Sequence, residues 1–266
     1  VTFFFPVSQR TISRLAVGAA ILGLAAAAPA HAQNVITNGN FANTSAYYNY
    51  NGTTVGTNVN DNNLAGWQIN GCSGSSSTCG FQFIVNSNLG SSGFYDAIDG
   101  HESTLYSTPG ATPDGSNAFM SDGSYEVMAL TQQLSNLKVG DTYTLSFYQA
   151  SMQQTGYTGA SQDNWNVGMV NSNGVFDSRV AATMNNPSQG STGWVKQTMT
   201  FVATTTSELL YFFASASAGA QPPFLLLDGV SMTDNASPSA VAEPATLTLA
   251  AAGLVGMIAA RRKRRA

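Results

Sequence analysis

Residues 141–150 read "DTYTLSFYQA". In an extended chain Tyr143, Leu145 and Phe147 fall on one side, and Thr142, Thr144 and Ser146 on the other. A period of two with one apolar and one hydroxyl-bearing side marks a strand that has one face in a core and one in water. The stretch 194–203, "WVKQTMTFVA", repeats the pattern, with Val195, Met199 and Phe201 set against Lys196, Thr198 and Thr200. Two later stretches, "SELLYFFAS" (207–215) and "PFLLLDGVSM" (223–232), are apolar for several residues running, as strands buried on both faces would be.

Shorter runs of strand-forming residues flank these: "NVIT", "GWQI", "FQFIV", "NAFMS", "EVMALTQQL" and "NVGMV". Turn-forming clusters separate them: "TNGN", "PDGS", "SDGS", "KVGD", "NSNG" and "NPSQG". About ten short strands without a helical period predict an all-β protein, an antiparallel β-sandwich formed by residues 33–234. Residues 42–63 and 86–114 read as long loops, and 235–240 as a polar linker.

The two ends read differently from the middle. Arg10 and Arg14 precede the apolar run "LAVGAAILGLAAAA", and "AHA" stands before Gln33, so residues 1–32 are expected to be a secretory signal peptide with a helical apolar stretch. Residues 245–260 are apolar and are followed by Arg261, Arg262, Lys263, Arg264 and Arg265. As a helix this run spans about 24 Å, short of a bilayer core of about 30 Å, and the cations place its far end on the cytoplasmic side. The expectation is a transmembrane helix over 245–260 with the preceding domain outside that membrane.

Between these ends only Lys138, Arg179 and Lys196 stand against fourteen acids, a net charge of −11. Such a surface repels nucleic acid. Cys72 and Cys79 lie in "GCSGSSSTCG". In an oxidising compartment this spacing predicts a local disulfide.

His101 sits in "YDAIDGHES" among Asp96, Asp99 and Glu102 and reads as a polar loop histidine, because no Gly-x-Ser-x-Gly elbow accompanies it. Trp67 and Trp194 read as core residues at strand ends. Tyr47, Tyr48 and Tyr50 in "YYNYNG", with Tyr157 and Trp165 around "YTGASQDNW", are the candidate ligand-binding aromatics. Aromatic faces beside amides suit the C–H faces and hydroxyls of a sugar.

The tail "VAEPATLTLAAAGLVGMIAARRKRRA" resembles the PEP-CTERM sorting signal of Gram-negative bacteria: Val241, Glu243 and Pro244 match its short motif, and Ala242 stands where that motif has its first proline. The resemblance covers residues 241–266. It implies inner-membrane retention, processing by an exosortase, and release or attachment at the cell surface alongside exopolysaccharide. The order "NGNF", "GW", "QQL" before "KVGD", and "LLLDGV" resembles the galactose-binding-like jelly rolls. That resemblance implies a structural calcium near the opening and closing strands. Asp228 matches one of its usual acidic ligands, and Ala42 replaces the other. The expected function is that of an exported, non-enzymatic surface protein binding carbohydrate. A secreted carbohydrate-active enzyme and a purely structural biofilm component stand as alternatives.

Overall fold

The computed structural model describes residues 33–50, 53–60, 62–70, 80–85, 93–96, 100–125, 127–217 and 222–235. The alternation that opens at Thr142 becomes burial in β9 (Thr142–Gln153), where Tyr143, Leu145 and Phe147 are buried and Thr142, Thr144 and Ser146 are half-buried. Beyond Tyr148 the strand is buried on both faces.

Strand β9 lies second in a sheet ordered β13 (Val195–Val202), β9, β15 (Pro223–Asp234), β7 (Ala118–Asp122), β4 (Gln82–Val85). A second sheet runs β11 (Phe176–Val180), β10 (Ser161–Asn171), β14 (Ser207–Ala216), β8 (Leu130–Ser135), β3 (Gln68–Ile69), with β12 (Met184–Asn186) on β10. Every pairing in these two sheets is antiparallel.

From β7 onward the chain passes back and forth between the sheets. One sheet contains the order β7-β15-β9-β13 and the other β8-β14-β10-β11. Interleaving the first and last strands in this way is the jelly-roll arrangement of two Greek keys. Among the described residues there is no helix.

Between the sheets Trp67, Trp165, Phe41, Phe119, Phe147 and Phe212 form a buried aromatic cluster. Phe147 and Phe212 meet edge to face across the sheets at 5.2 Å. A geometry of this kind adds about 0.5–1.5 kcal/mol to plain area burial.

The opening "NGNF" turn docks on the closing strand. Val230 N–H donates to Gly39 C=O at 2.9 Å, and a Cβ at residue 39 would stand 1.9 Å from Val230 O, so only glycine fits there. On the adjoining side Gln132 pairs with the backbone of Thr37 in both directions, at 2.8 and 2.9 Å.

Three sequence expectations need correction. The run 207–215 is not buried on both faces: in β14 Leu210, Phe212 and Ala214 are buried while Phe213 is exposed and Leu209 and Tyr211 are half-buried. Its outer apolar residues belong to an open sheet face. By contrast β15 is buried on both faces through Asp228, because its sheet is the middle layer. The stretches 42–63 and 86–114 are not loops throughout. They contribute β1 (Tyr47–Tyr50), β2 (Thr53–Thr57), β5 (Gly93–Asp96) and β6 (His101–Thr104), a third sheet with one parallel pair, β2 with β5. Phe94 of β5 anchors it, packing on Phe83 at 4.3 Å and Phe224 at 5.2 Å. His101 accordingly lies in a strand, opposite Asp96.

The signal peptide, the Cys72–Cys79 pair, the transmembrane helix and the sorting signal all lie outside the described residues.

Candidate functional site

The outer face of the second sheet can be read off its register. One transverse row runs Gln68, Thr131, Tyr211, Gly168, Ser178, each opposite the next on the adjacent strand. The row beside it runs Gln133, Leu209, Val170, Phe176. A third runs Phe213, Asn166, Val180, and a fourth pairs Ser215 with Asn164. At about 4.8 Å between strands, the five-strand row spans about 19 Å.

No acid or base stands in these rows. They present side-chain amides, hydroxyls and apolar surface. Phe176 and Phe213 are 68% and 38% exposed, and Phe176 meets Tyr211 edge-on at 6.3 Å. Tyr211 lies across the strand beside it: a Cβ on Gly168 would stand 2.6 Å from its hydroxyl.

At the β3–β8 margin this face passes into a cleft of about 500 Å³, lined by Asn43, Thr44, Ser45, Asn62, Asn63, Leu64, Ala65, Gly66, Trp67, Gln68 and Gln133. The walls are built locally. Asn38 donates from Nδ2 to the carbonyls of Asn43 (3.0 Å) and Ala65 (2.9 Å) and accepts from Asn43 N–H. The Thr44 hydroxyl and the Ser45 N–H both donate to Asn63 C=O. Trp67 forms the floor, with its indole N–H on Asn38 C=O at 3.0 Å. Among the described residues the backbone groups of Asn43, Asn62 and Gln68 take part in hydrogen bonds, while their side-chain amides line the cleft.

The candidate aromatics do not converge on this surface. Trp165 is fully buried on the inner face of β10, its indole N–H donating to Leu226 C=O at 3.2 Å. It is a core residue, and the ligand role expected of it is withdrawn. The alternation of Trp165, Val167 and Met169 turns all three inward. Tyr157 is exposed in the β9–β10 connection. Tyr47 opens β1 and accepts a hydrogen bond from Asn117 Nδ2 at 2.7 Å. Tyr48 and Tyr50 share that strand, with side chains outside the described set. Trp67 is buried as expected, and Trp194 packs partly buried beneath the third sheet.

Asp228 is fully buried at a register shift in β15. Its Oδ1 accepts from Gly229 N–H (2.6 Å) and its Oδ2 from Asp114 N–H (3.3 Å), while Asp114 Oδ1 accepts from Ser116 N–H (3.0 Å). Burial, and then the charge of Asp114, push its pKa up to about 7. A calcium ion asks for six to eight oxygens. Here Ala42 offers no carboxylate, three of the four carboxylate oxygens already hold an amide proton, and among the described residues no third acid joins the pair. The donor set does not fit the ion.

No family profile matches the chain, and no curated protein matches it. The solved structures to which the chain is similar include three that are covered almost end to end. One is a cyclase from Fischerella sp. TAU in complex with 4-(1H-indol-3-yl)butan-2-one, at 16% identity over 78% of this chain and 100% of that one, with a TM-score of 0.47. Another is TmCBM61 in complex with β-1,4-galactotriose, at 13% identity over 76% and 99%, TM-score 0.43. The third, described as "CBM4 structure and function", has 16% identity over 75% and 99%, TM-score 0.37. At these scores the likenesses carry nothing further to this chain.

Proposed function

We propose that this protein is an exported, non-enzymatic module that binds a neutral polysaccharide on the outer face of its second sheet. The observation that carries the reading is the continuous uncharged surface from the Asn43–Gln133 cleft to Phe176, about 19 Å across. Sugar hydroxyls both donate and accept, and so do the side-chain amides of Asn62, Gln68, Gln133 and Asn166. The apolar C–H faces of a sugar match Tyr211, Phe213 and Phe176. A surface of this length suits an extended chain rather than a single ring. The net charge of the region disfavours polyanions.

Export and sorting complete the proposal. The signal-like residues 1–32 deliver the domain across the membrane. The motif at Val241, Glu243 and Pro244 presents it to an exosortase-type enzyme, which leaves it at the cell surface or outside.

Retention of the purified protein on a panel of neutral and acidic polysaccharides tests the binding role. Neutral polymers should retain it with little dependence on salt, and Gln133→Ala and Tyr211→Ala should each weaken retention several-fold. Failure of every neutral polymer to retain the wild-type protein would reject the reading. Release of reducing sugar in the same incubation would mark it as a hydrolase instead.

A further inference from the structure

The first sheet is the middle layer, yet only part of its outer side is covered. The apolar cluster there, built on Phe83, Phe94 and Phe224, reaches Ala150 of β9 and the side chain of Trp194. Beyond them the register sets out four rows on the outer side. Lys196 stands opposite Tyr148. Thr198, Ser146 and Ser231 form the next row, and Thr200, Thr144 and Thr233 the one after. Val202 opposite Thr142 closes the set. The β13 members are exposed and the others half-buried. Two residues advance a strand by about 6.8 Å, so four rows extend about 20 Å along the strands.

The chemistry of this face is specific. The one acid in register with it, Asp228 opposite Tyr148, is fully buried. No exposed acid stands in the rows, although the region carries a net charge of −11. The Thr144 hydroxyl donates to Asn235 Oδ1 at 2.8 Å. Those of Ser146, Thr198, Thr200, Ser231 and Thr233 have no hydrogen-bond partner among the described residues. Lys196 forms no ion pair among the described residues, and its Nζ lies 5.7 Å from the Tyr148 ring centroid.

Tyr148 itself is laid against the closing strand. Gly229 has a φ of +58°, and a Cβ there would stand 3.1 Å from Tyr148 Cδ2. Each main sheet thus carries the same device on its outer side: Tyr211 over Gly168 on one, Tyr148 over Gly229 on the other. Around each ring lie neutral groups that both donate and accept, as sugar hydroxyls require. The Lys196 ammonium adds three donors.

We propose that this second face takes a neutral polysaccharide chain of its own, so that one molecule joins two chains. The proposal rests on the binding role of the second sheet. Packed sheets stand about 10 Å apart, back to back, and their outer faces point in opposite directions. A single extended chain cannot lie on both. Two faces on one rigid body therefore cross-link a soluble polymer, and on an immobilised one they add avidity.

Light scattering of soluble galactan, mannan and β-glucan mixed with the exported protein tests this. The polymer that retains the wild type should give scattering that rises with protein and then falls, as excess protein saturates each chain separately. Thr198→Glu places a charge and a longer side chain among the hydroxyl rows, at an exposed position where folding tolerates it. Thr198→Glu and Tyr211→Ala should each abolish the scattering, while each protein is still retained on the immobilised polymer, several-fold more weakly. The double variant should not be retained. Wild-type retention without scattering, or scattering that survives Thr198→Glu, would overturn the second face and leave the first standing. Retention lost with Thr198→Glu and unchanged with Tyr211→Ala would overturn the pairing of faces and the role of the second sheet together. No retention on any of the three polymers would reject both.

Discussion

Tyr211 occupies the space that a side chain at position 168 would need: a Cβ there would lie 2.6 Å from the Tyr211 hydroxyl and 2.6 Å from the carbonyl oxygen of Asp177. The two residues are register partners across β10 and β14. Glycine inside a strand gives up packing and backbone entropy, and it often marks a close approach. Here the approach is that of the ring laid over the strand.

Gly168→Ala should therefore lift Tyr211 from the sheet and push on β11. Overpacking of this sort costs about 1–3 kcal/mol, or a fall of about 3–10 °C in the midpoint of a domain this size. Tyr211→Ala removes the ring without the clash. It should cost less stability and yet weaken retention on neutral polysaccharide at least as much. Equal retention by wild type and Tyr211→Ala would remove the ring from the proposed surface.

Trp165 gives the opposite expectation. Its ring packs against Phe119 at 6.2 Å and Phe212 at 6.1 Å, and its N–H is on Leu226 C=O. Trp165→Ala should destabilise by about 3–5 kcal/mol, the range for large aromatic truncations in cores, and leave Leu226 C=O short of a partner. Chemical denaturation measures this. A stability loss under about 1 kcal/mol would contradict its place in the core.

How much of this was readable beforehand depends on which face a residue meets. In β9 the apolar and hydroxyl residues alternate, so the strand and its core face follow from the sequence. In β14 both faces are apolar, and period-two reasoning cannot tell a second buried face from an aromatic binding face. Only the pairing of Leu209, Tyr211 and Phe213 with Val170, Gly168 and Asn166 separates the two cases. The polar run Ser, Gln, Asp and Asn before Trp165 suggests a ligand-binding aromatic, whereas its alternation with Val167 and Met169 is the signal that turns it inward. The third sheet is hard to see in the sequence because its strands are mostly Tyr, Asn, Gly and Thr, with Val55 as their one aliphatic residue. Yet Asn51-Gly52 between "YYNY" and "TTVGT" is a two-residue hairpin signal, and Tyr50 does face Thr53 in the pairing. The cleft depends on Asn38 tying residues 43 and 65 together, a tertiary relation that no local pattern carries.

The tail yields a prediction of its own. Proline restrains the preceding residue toward extended backbone, so a helix through the apolar run is expected to begin after Glu243. An extended segment has unpaired amides that a processing enzyme can engage. Ala at both Glu243 and Pro244 should accumulate uncleaved chain in the inner membrane with the domain facing outward. Intact-mass measurement decides the point: exported wild-type protein that still carries "RRKRRA" would show that the tail is a plain anchor.

The last prediction concerns pH. Burial raises Asp122 to about 6, and burial together with Asp114 raises Asp228 to about 7; Asp163 moves in the same direction through burial. In the unfolded chain all three return to the ordinary carboxylate range near 4. Between these values the folded state binds more protons than the unfolded state, so stability falls as pH rises. The contribution is complete below about pH 4 and lost by about pH 7 for Asp228. The acidic surface adds self-repulsion in the same sense. In the presence of a chelator the thermal midpoint should therefore decline from pH 5 to pH 8. Asp228→Asn should flatten part of that slope, because an amide keeps the acceptor for Gly229 N–H and removes the like charge beside Asp114, although its NH2 can no longer accept the Asp114 N–H. The substitution should stabilise the protein at pH 8 and change little at pH 5. A lower midpoint for Asp228→Asn at pH 8 would mean that the acceptor lost to Asp114 N–H outweighs the relief of repulsion between the two carboxylates.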